Sequence, residues 1–207
     1  MKNSKLALAE LCGIMLGDGS FIKAKRCYSI SISFNRNELD YLDYVLKMLN
    51  NLFPNEKISV YDIKSEFLIR TYSSKISNAL LEAGLETGNK TKRDIWIPRW
   101  ITSKRQYSIA FLRGMFDTDG CIYRKYGSYL QLQLKLANKT LVHDIQTNIA
   151  NLGFNPTNVI LDLEKVHKSY EWKFYLSRQA EIHKFIKDIG FCNSKHLSRY
   201  KKLQLPL

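Results

Sequence analysis

The chain has 207 residues, 45% of them hydrophobic and 12% aromatic, enough to bury an ordinary core and too apolar for a disordered segment. Lys and Arg number 32 against 19 Asp and Glu, and the resulting formal charge of +13 points to a polyanionic partner, nucleic acid first. No apolar run reaches the ~18 residues of a membrane span. Cys12, Cys27, Cys121 and Cys192 show neither a C-x-x-C pair nor another metal-ligand spacing, which argues against a zinc site and a disulfide framework.

In chain order, the first element is an apolar helix, Leu11-Cys12-Gly13-Ile14-Met15-Leu16, running into Gly17-Asp18-Gly19. Lys2 and Lys5 before it faintly imitate a signal peptide, but Glu10 interrupts the apolar stretch and the same segment recurs at mid-chain, so it reads as part of the fold. An alternating strand (Ser29 to Phe34) follows, then a helix with its stripe at Leu42, Val45, Leu49 and Leu52. The turn-forming Asn51-Leu52-Phe53-Pro54 leads to a second hairpin closed by Glu66 to Tyr72, and a third helix is stopped by Gly84. Residues 89–106 form a basic connector bearing Trp96, Pro98 and Trp100, whose apolar side chains are expected to pack under the core.

The programme then repeats. Leu112-Arg113-Gly114-Met115-Phe116-Asp117-Thr118-Asp119-Gly120 answers the first motif, with Asp18 and Asp119 101 residues apart. Leu130 to Leu136 alternates, Leu141, Ile145, Ile149 and Leu152 make a helical stripe, Glu171 to Ser177 closes a hairpin, and Gly190 stops a helix. Each half therefore reads helix, hairpin, helix, hairpin, helix, with boundaries at 1–88 and 107–207 around the connector.

Each copy places a carboxylate at a helix C-terminus, where the partial negative charge repels anions. Asp18 and Asp119 also each precede a glycine of the kind that caps helices in the left-handed conformation. Gly13 and Gly17, matched by Gly114 and Thr118, put small residues four apart on one helix face, which lets two backbones approach. Helices paired this way about a pseudo-twofold axis bring Asp18 and Asp119 together. Two adjacent carboxylates repel unless a proton or cation lies between them, and Mg²⁺ is the expected occupant.

These motifs closely resemble the LAGLIDADG motif of homing endonucleases, and the resemblance extends through the paired hairpins and Gly88-Asn89-Lys90 to nearly the whole chain. It implies an α+β monomer of two αββαββα halves. Each half has a curved antiparallel sheet, together forming a saddle on DNA, with the motif helices at the central interface. It implies metal-dependent cleavage of both strands across the minor groove, leaving short 3′ overhangs. Asp18 and Asp119 are then the ligands of Mg²⁺ or Mn²⁺, with the backbone of Gly17 and Thr118. Lys90, Lys195, Asn35 and Asn138 are the candidates for positioning water and stabilising phosphate charge. The earlier acidic position of the motif is Asp117 in one copy but Leu16 in the other, so Asp117 is expected to be a structural, helix-end group.

DNA reading falls to the polar sheet faces, Ser29, Ser31, Ser33, Arg70 and Tyr72 in one half and Gln131, Gln133, Lys135, Lys173 and Tyr175 in the other; these differ, so the target is expected to be asymmetric. Lys2, Lys5, Lys195, Arg199, Lys201 and Lys202 add phosphate contacts. His143, His167, His183 and His196 show no ligand spacing and read as packing or surface residues. Two alternatives stand beside the nuclease: an RNA-splicing maturase acting on intron RNA, and a DNA-binding regulator that kept the scaffold without catalysis. The two repeats fill the length and leave no room for protein-splicing blocks, so a free-standing or intron-encoded protein is expected, intracellular in a prokaryotic cytoplasm or an organelle.

Overall fold

A computed structural model describes residues 2–127, 129–164 and 169–203. The first half runs α1 (Lys2–Leu16), β1 (Gly19–Lys23), β2 (Tyr28–Asn35), α2 (Leu39–Leu52), β3 (Ser59–Ile63), β4 (Glu66–Thr71), α3 (Ser74–Glu82). A short α4 (Arg99–Thr102) interrupts the connector. The second half repeats the order as α5 (Arg105–Asp119), β5 (Gly120–Tyr126), β6 (Tyr129–Leu136), α6 (Lys139–Asn151), β7 (Ile160–Glu164), β8 (Ser169–Leu176), α7 (Gln179–Asp188), and α8 (Ser194–Leu203) is added at the end.

Each half builds one antiparallel four-stranded sheet, ordered β1-β2-β4-β3 and β5-β6-β8-β7. Alternation sets the two faces. Ile30, Ile32 and Phe34 of β2, and Leu130, Leu132, Leu134 and Leu136 of β6, are buried against the helices. The residues between them point the other way, where Ser31 lies opposite Arg70 and Ser20, and Gln133 opposite Tyr175 and Cys121. Ser73 caps α3 and Asn138 caps α6, each accepting an N–H from three residues on. Gly84 (φ +92°) and Gly190 (φ +68°) end α3 and α7 in the left-handed region.

The core is centred on α1 and α5, which are buried nearly all round: Leu11, Cys12, Ile14 and Met15 face Phe111, Leu112, Met115 and Phe116 in one continuous cluster. Their pairing depends on glycine. A Cβ on Gly13 would stand 2.3 Å from the Phe111 carbonyl oxygen, and one on Gly114 would stand 2.4 Å from that of Glu10. Gly19 and Gly120 correct the expectation of left-handed caps. Neither has a positive φ, and Gly120 is extended (φ −76°, ψ 150°). They are glycines because the chain doubles back over its own last helical turn, where a Cβ would meet Met15 Cα at 2.5 Å or the Phe116 oxygen at 2.3 Å.

In the connector Ile95, Ile97 and Ile101 pack into the core and Trp100 lies partly against it, but Trp96 is exposed. The Ile97 N–H donates to Asp144 at 2.7 Å, and in this extended stretch alternate side chains turn outward. No helix among the described residues is long and apolar enough to cross a membrane, and all four cysteines are free.

Candidate metal centre and nucleic-acid interface

Asp18 and Asp119 meet where the two central helices end. A Cβ on Gly17 would fall 2.4 Å from Asp119 Oδ2 and 2.1 Å from Thr118 Oγ1, so the absent side chain leaves the gap through which the Asp119 carboxylate reaches the end of α1. Burial pushes Asp119 up to about 7, and the Asp18 charge adds to the effect. Asp18 is raised by its protein surroundings, then by Glu38, while Lys90 and Lys195 oppose the shift; one side of it is open to solvent. The Thr118 hydroxyl lies 3.0 Å from the Met115 oxygen and 2.9 Å from Asp119 Oδ2, fixing that carboxylate.

Lys90 is the cation of the site. Its ammonium donates to the carbonyls of Leu16 at 2.9 Å and Met15 at 3.2 Å, and also to that of Gly17. All three donors are thereby spent on the C-terminus of α1, leaving Lys90 to act through its charge. Burial lowers its pKa, and Asp119 and Asp18 work against that shift. With Lys195 balanced by Glu38, Lys90 is, among the described residues, the one remaining lysine facing two carboxylates at two negative helix ends, which leaves the pocket anionic. Hard oxygen donors carrying surplus negative charge fit a divalent cation, with Asp18 and Asp119 as the side chains to hold it.

The C-terminus of α5 is finished differently. The Asp117 carboxylate accepts the backbone N–H groups of Cys192 and Asn193 at 3.0 Å, and Asn193 Nδ2 and His196 Nε2 reach the Asp117 carbonyl at 3.1 Å. Burial pushes Asp117 up to about 7 against those N–H groups. Asp117 thus fastens the segment after α7 and is a helix-end group, as its unmatched place in the motif suggests.

Glu38 joins this layer to the first half. It accepts from Lys195 Nζ at 2.8 Å, Asn193 Nδ2 at 2.9 Å and the Asn35 N–H at 2.9 Å. Burial works against its charge, but these donors outweigh it and hold its pKa low. Lys195 is therefore engaged by a carboxylate. Asn35 keeps its side chain for the Asn37 N–H at 3.1 Å, and Asn138 ties the Lys90 and Arg93 carbonyls at 2.6 and 2.8 Å. Glu38 and Asn193, which tie the layer behind the two carboxylates together, are missed by the reading of motifs. The Asn35-x-x-Glu38 spacing of a capping box is a signal for the first, and nothing local marks the second.

Glu10 and Asp117, both buried, and the half-buried Cys192 form a separate group whose ligand atoms lie within 4.8 Å of one another. Each already has a partner or lacks the ionised form a metal needs. Arg113 pairs with Glu10 at 2.5 Å, the Tyr44 hydroxyl donates to Glu10 at 2.6 Å, and burial pushes the Cys192 thiol up to about 11. Arg113 supplies the counter-charge there, so Asp18 and Asp119 remain the better metal centre. His196 stacks on Phe191 at 4.8 Å, and burial lowers it to about 4; His183 Nδ1 lies 2.7 Å from the Gln179 oxygen and His143 lies tilted beside Trp172. His167 lies outside the described residues.

The sheet residues share one open face in each half. Ser29, Ser31 and Ser33 alternate with buried neighbours, Arg70 stacks over Tyr61 at 5.6 Å, and Tyr72 is exposed just past β4. In the second half Lys173 pairs with Asp162 at 2.7 Å and lies over Tyr175 at 5.8 Å, and Lys135 pairs with Glu171. Gln131 shares the face but is buried, bound by the Tyr123 hydroxyl at 2.7 Å and donating to Ser177 at 3.0 Å, while Gln133 is half-buried. Arg199 lies 3.3 Å from Cys121 Sγ, and Lys5, Lys201 and Lys202 are exposed; the Lys2 side chain lies outside the described residues.

Residues 8–91 match the WhiA LAGLIDADG-like domain and residues 106–190 the LAGLIDADG-like domain, which together take in well over half of the chain. A curated relative, the DNA gyrase A protein of Mycobacterium kansasii, is 24% identical over 189 residues; the match takes in 89% of this chain, and the chain spans 33% of that relative. Among solved structures, mesophilic variants of the homing endonuclease I-DmoI superpose with a TM-score of 0.66 at 18% identity, over 90% of this chain and 97% of theirs. I-DmoI in complex with DNA and calcium gives a TM-score of 0.65 at 18% identity, over 90% of both chains. With the duplicated motif, the glycine-paired helices and the two matching LAGLIDADG-like domains in one chain, this protein belongs to the LAGLIDADG family.

Proposed function

We propose that the protein is a site-specific double-strand DNA endonuclease dependent on Mg²⁺ or Mn²⁺, cutting a long asymmetric target across the minor groove and leaving 3′ overhangs. The observation that carries this reading is the meeting of Asp18 and Asp119, one from each half, at the ends of α1 and α5 beside the buried Lys90 ammonium. A divalent cation bound there would supply an acidified water and offset charge on the phosphate oxygens.

The chain's own residues do the rest. Asp18, open on one side, and Asp119, held by Thr118, hold the cation where a phosphate can arrive. Lys90 keeps a fixed positive charge beneath both, so the pocket is preorganised before DNA binds. Arg70 and Lys173, steadied over aromatic rings, with the serines of one face and Gln133 of the other, hold the duplex in the major groove, while the buried Gln131 supports the sheet from within. One face is serine-rich and the other carries Gln and Lys, which supports an asymmetric target. Both carboxylates come from one chain, which supports action as a monomer.

The test is incubation of purified protein with a randomised duplex library, with Mg²⁺ or with EDTA, beside Asp18→Asn and Asp119→Asn. Cutting of a subset of the library only with metal, and in neither variant, is the expected result. Full cutting by Asp119→Asn overturns the proposal.

A further inference from the structure

The two halves diverge after their third helix. Beyond α3 the connector runs along α6: Asn138 holds the Lys90 and Arg93 carbonyls, Asp144 takes the Ile97 N–H, and Ser108 reaches the Ile101 carbonyl at 3.3 Å. The groove bounded by α5 and α6 is filled by Ile97 and Ile101, both buried. Beyond α7 the chain turns away instead, into α8, which packs beside β5 and whose Leu203 carbonyl accepts from Arg124 at 2.6 Å. The equivalent groove of the first half is left open by the described residues.

It is a cleft of about 490 Å³ between α1, α2 and α5, lined by Leu6, Ala7, Tyr44, Lys47, Leu52 and Arg113 among others. The correspondence holds position by position. Leu6 and Ala7 answer Tyr107 and Ser108, Tyr44 answers Asp144, and Leu52 answers Leu152, whose carbonyl binds Arg105. The floor is apolar and the polar groups sit where an extended backbone would need them. Tyr44, at the place of the carboxylate that takes Ile97 N–H, donates its hydroxyl to Glu10, has Cys192 as a second neighbour, and keeps an oxygen lone pair for an incoming N–H. Arg113, paired with Glu10 through Nη2, has a buried Nε–H with no hydrogen-bond partner among the described residues, available to a carbonyl.

We propose that this cleft is a docking groove for an extended apolar peptide segment of a partner protein, bound as the connector is bound in the other half, with neutral or acidic flanks to suit the exposed Lys47 at its rim. It lies among the helices, away from the open sheet faces, so the partner and DNA can be held at once. The inference does not rest on the nuclease reading.

The probe is a fluorescein-labelled peptide of residues 94–103 of this chain, the segment that fills the twin groove, titrated with the full-length protein by fluorescence polarisation. Saturable binding in the micromolar range is expected, weakened at least tenfold by Ala7→Glu, which puts a charge into the floor. Asn51→Trp, at an exposed position on the rim, should weaken it as much without entering the core. Both variants should keep the DNA affinity of the parent. Absence of saturation up to millimolar protein, equal affinity in a folded variant, or loss of binding because the protein self-associates through the groove would each overturn the proposal.

Discussion

Replacing Gly13 by alanine sets two effects of known size against each other. In an isolated helix the change favours folding by about 1 kcal/mol. Here the added Cβ would stand 2.3 Å from the Phe111 carbonyl oxygen and 3.0 Å from the Met115 nitrogen, both backbone atoms that no rotamer can move aside. An ordinary Cβ contact needs roughly 3.4 Å, so α1 and α5 must part by about 1 Å, and a gap of that size forfeits about a quarter to a half of the dispersion well for each atom pair across the seam. Overpacking of this kind typically costs about 1–3 kcal/mol, and the core along this seam is continuous from Leu11 to Phe116, which places the cost toward the upper end. The net expectation is a loss of about 2 kcal/mol, or roughly 4–8 °C in Tm for a chain of this length. The same displacement separates Asp18 from Asp119, and on the proposed nuclease reading a misplacement of about 1 Å should lower cleavage about 100-fold, while DNA affinity, which that reading assigns to the sheet faces, should change little. Thermal unfolding by circular dichroism and single-turnover cleavage are the assays. Gly88→Ala is the control, since that glycine (φ +101°) has no atom within 4 Å of its Cβ position and reports backbone strain alone. A Gly13→Ala protein as stable as the parent would show that helix propensity wins and that the close approach does not hold the halves together.

Asp119→Asn should stabilise the protein in EDTA at pH 8. With its pKa raised from the ordinary 3.8 to about 7, the folded state holds the Asp119 proton more tightly, so this group's contribution is complete below about pH 4 and is lost as pH rises through 7. Part of the group meets solvent, so about 2–3 kcal/mol is expected at pH 8, vanishing near pH 4; melting curves across that range check it, and a less stable variant at pH 8 sinks the electrostatic account. Excess Mg²⁺ should raise the Tm of the parent and leave that of Asp119→Asn unmoved. Lys90→Met should lower stability by about 1–3 kcal/mol in denaturant titrations, because three carbonyls of α1 lose their donor, and should depress cleavage as well. Arg70→Ala should weaken DNA binding in a titration at low salt and relax preference on one side of the target only; equal relaxation on both sides would contradict the asymmetric faces.

Much of this architecture is legible in the residues because it is periodic. The alternation of Ser29 to Phe34 and Leu130 to Leu136 sets both sheet faces, and glycines four apart announce the seam between α1 and α5. What stays hidden is contact across long sequence separations. Lys90 meets carbonyls more than seventy residues before it, and Glu38 meets Lys195 across 157 positions. Gly88-Asn89-Lys90 singles out the lysine and Asn35-x-x-Glu38 the glutamate, but neither pattern names the distant atoms each one meets. Gly19 and Gly120 mislead for a related reason. A glycine after a helix is usually there for its left-handed φ, whereas here the constraint is the space over Met15 and Phe116.

The pseudo-twofold symmetry is kept where the two halves touch and abandoned one layer out, and the physics of the site explains why. At the seam each helix must meet its copy, so Gly13 and Gly114 are bound to the same steric rule and neither can drift alone. At the helix ends the requirement is only that the orphan carbonyls find donors, which several chemistries satisfy. Lys90 does it for α1 with a charge; Thr118, Asn193 and His196 do it for α5 without the same cation. Leu16 opposite Asp117, and Glu38 opposite Asn138, follow from that choice, because each must suit the segment packed on it. The consequence is electrostatic: Asp18 answers to two lysines and two glutamates, Asp119 chiefly to Asp18 itself, Thr118 and Lys90. Two carboxylates drawn from a repeat thus meet in unequal surroundings.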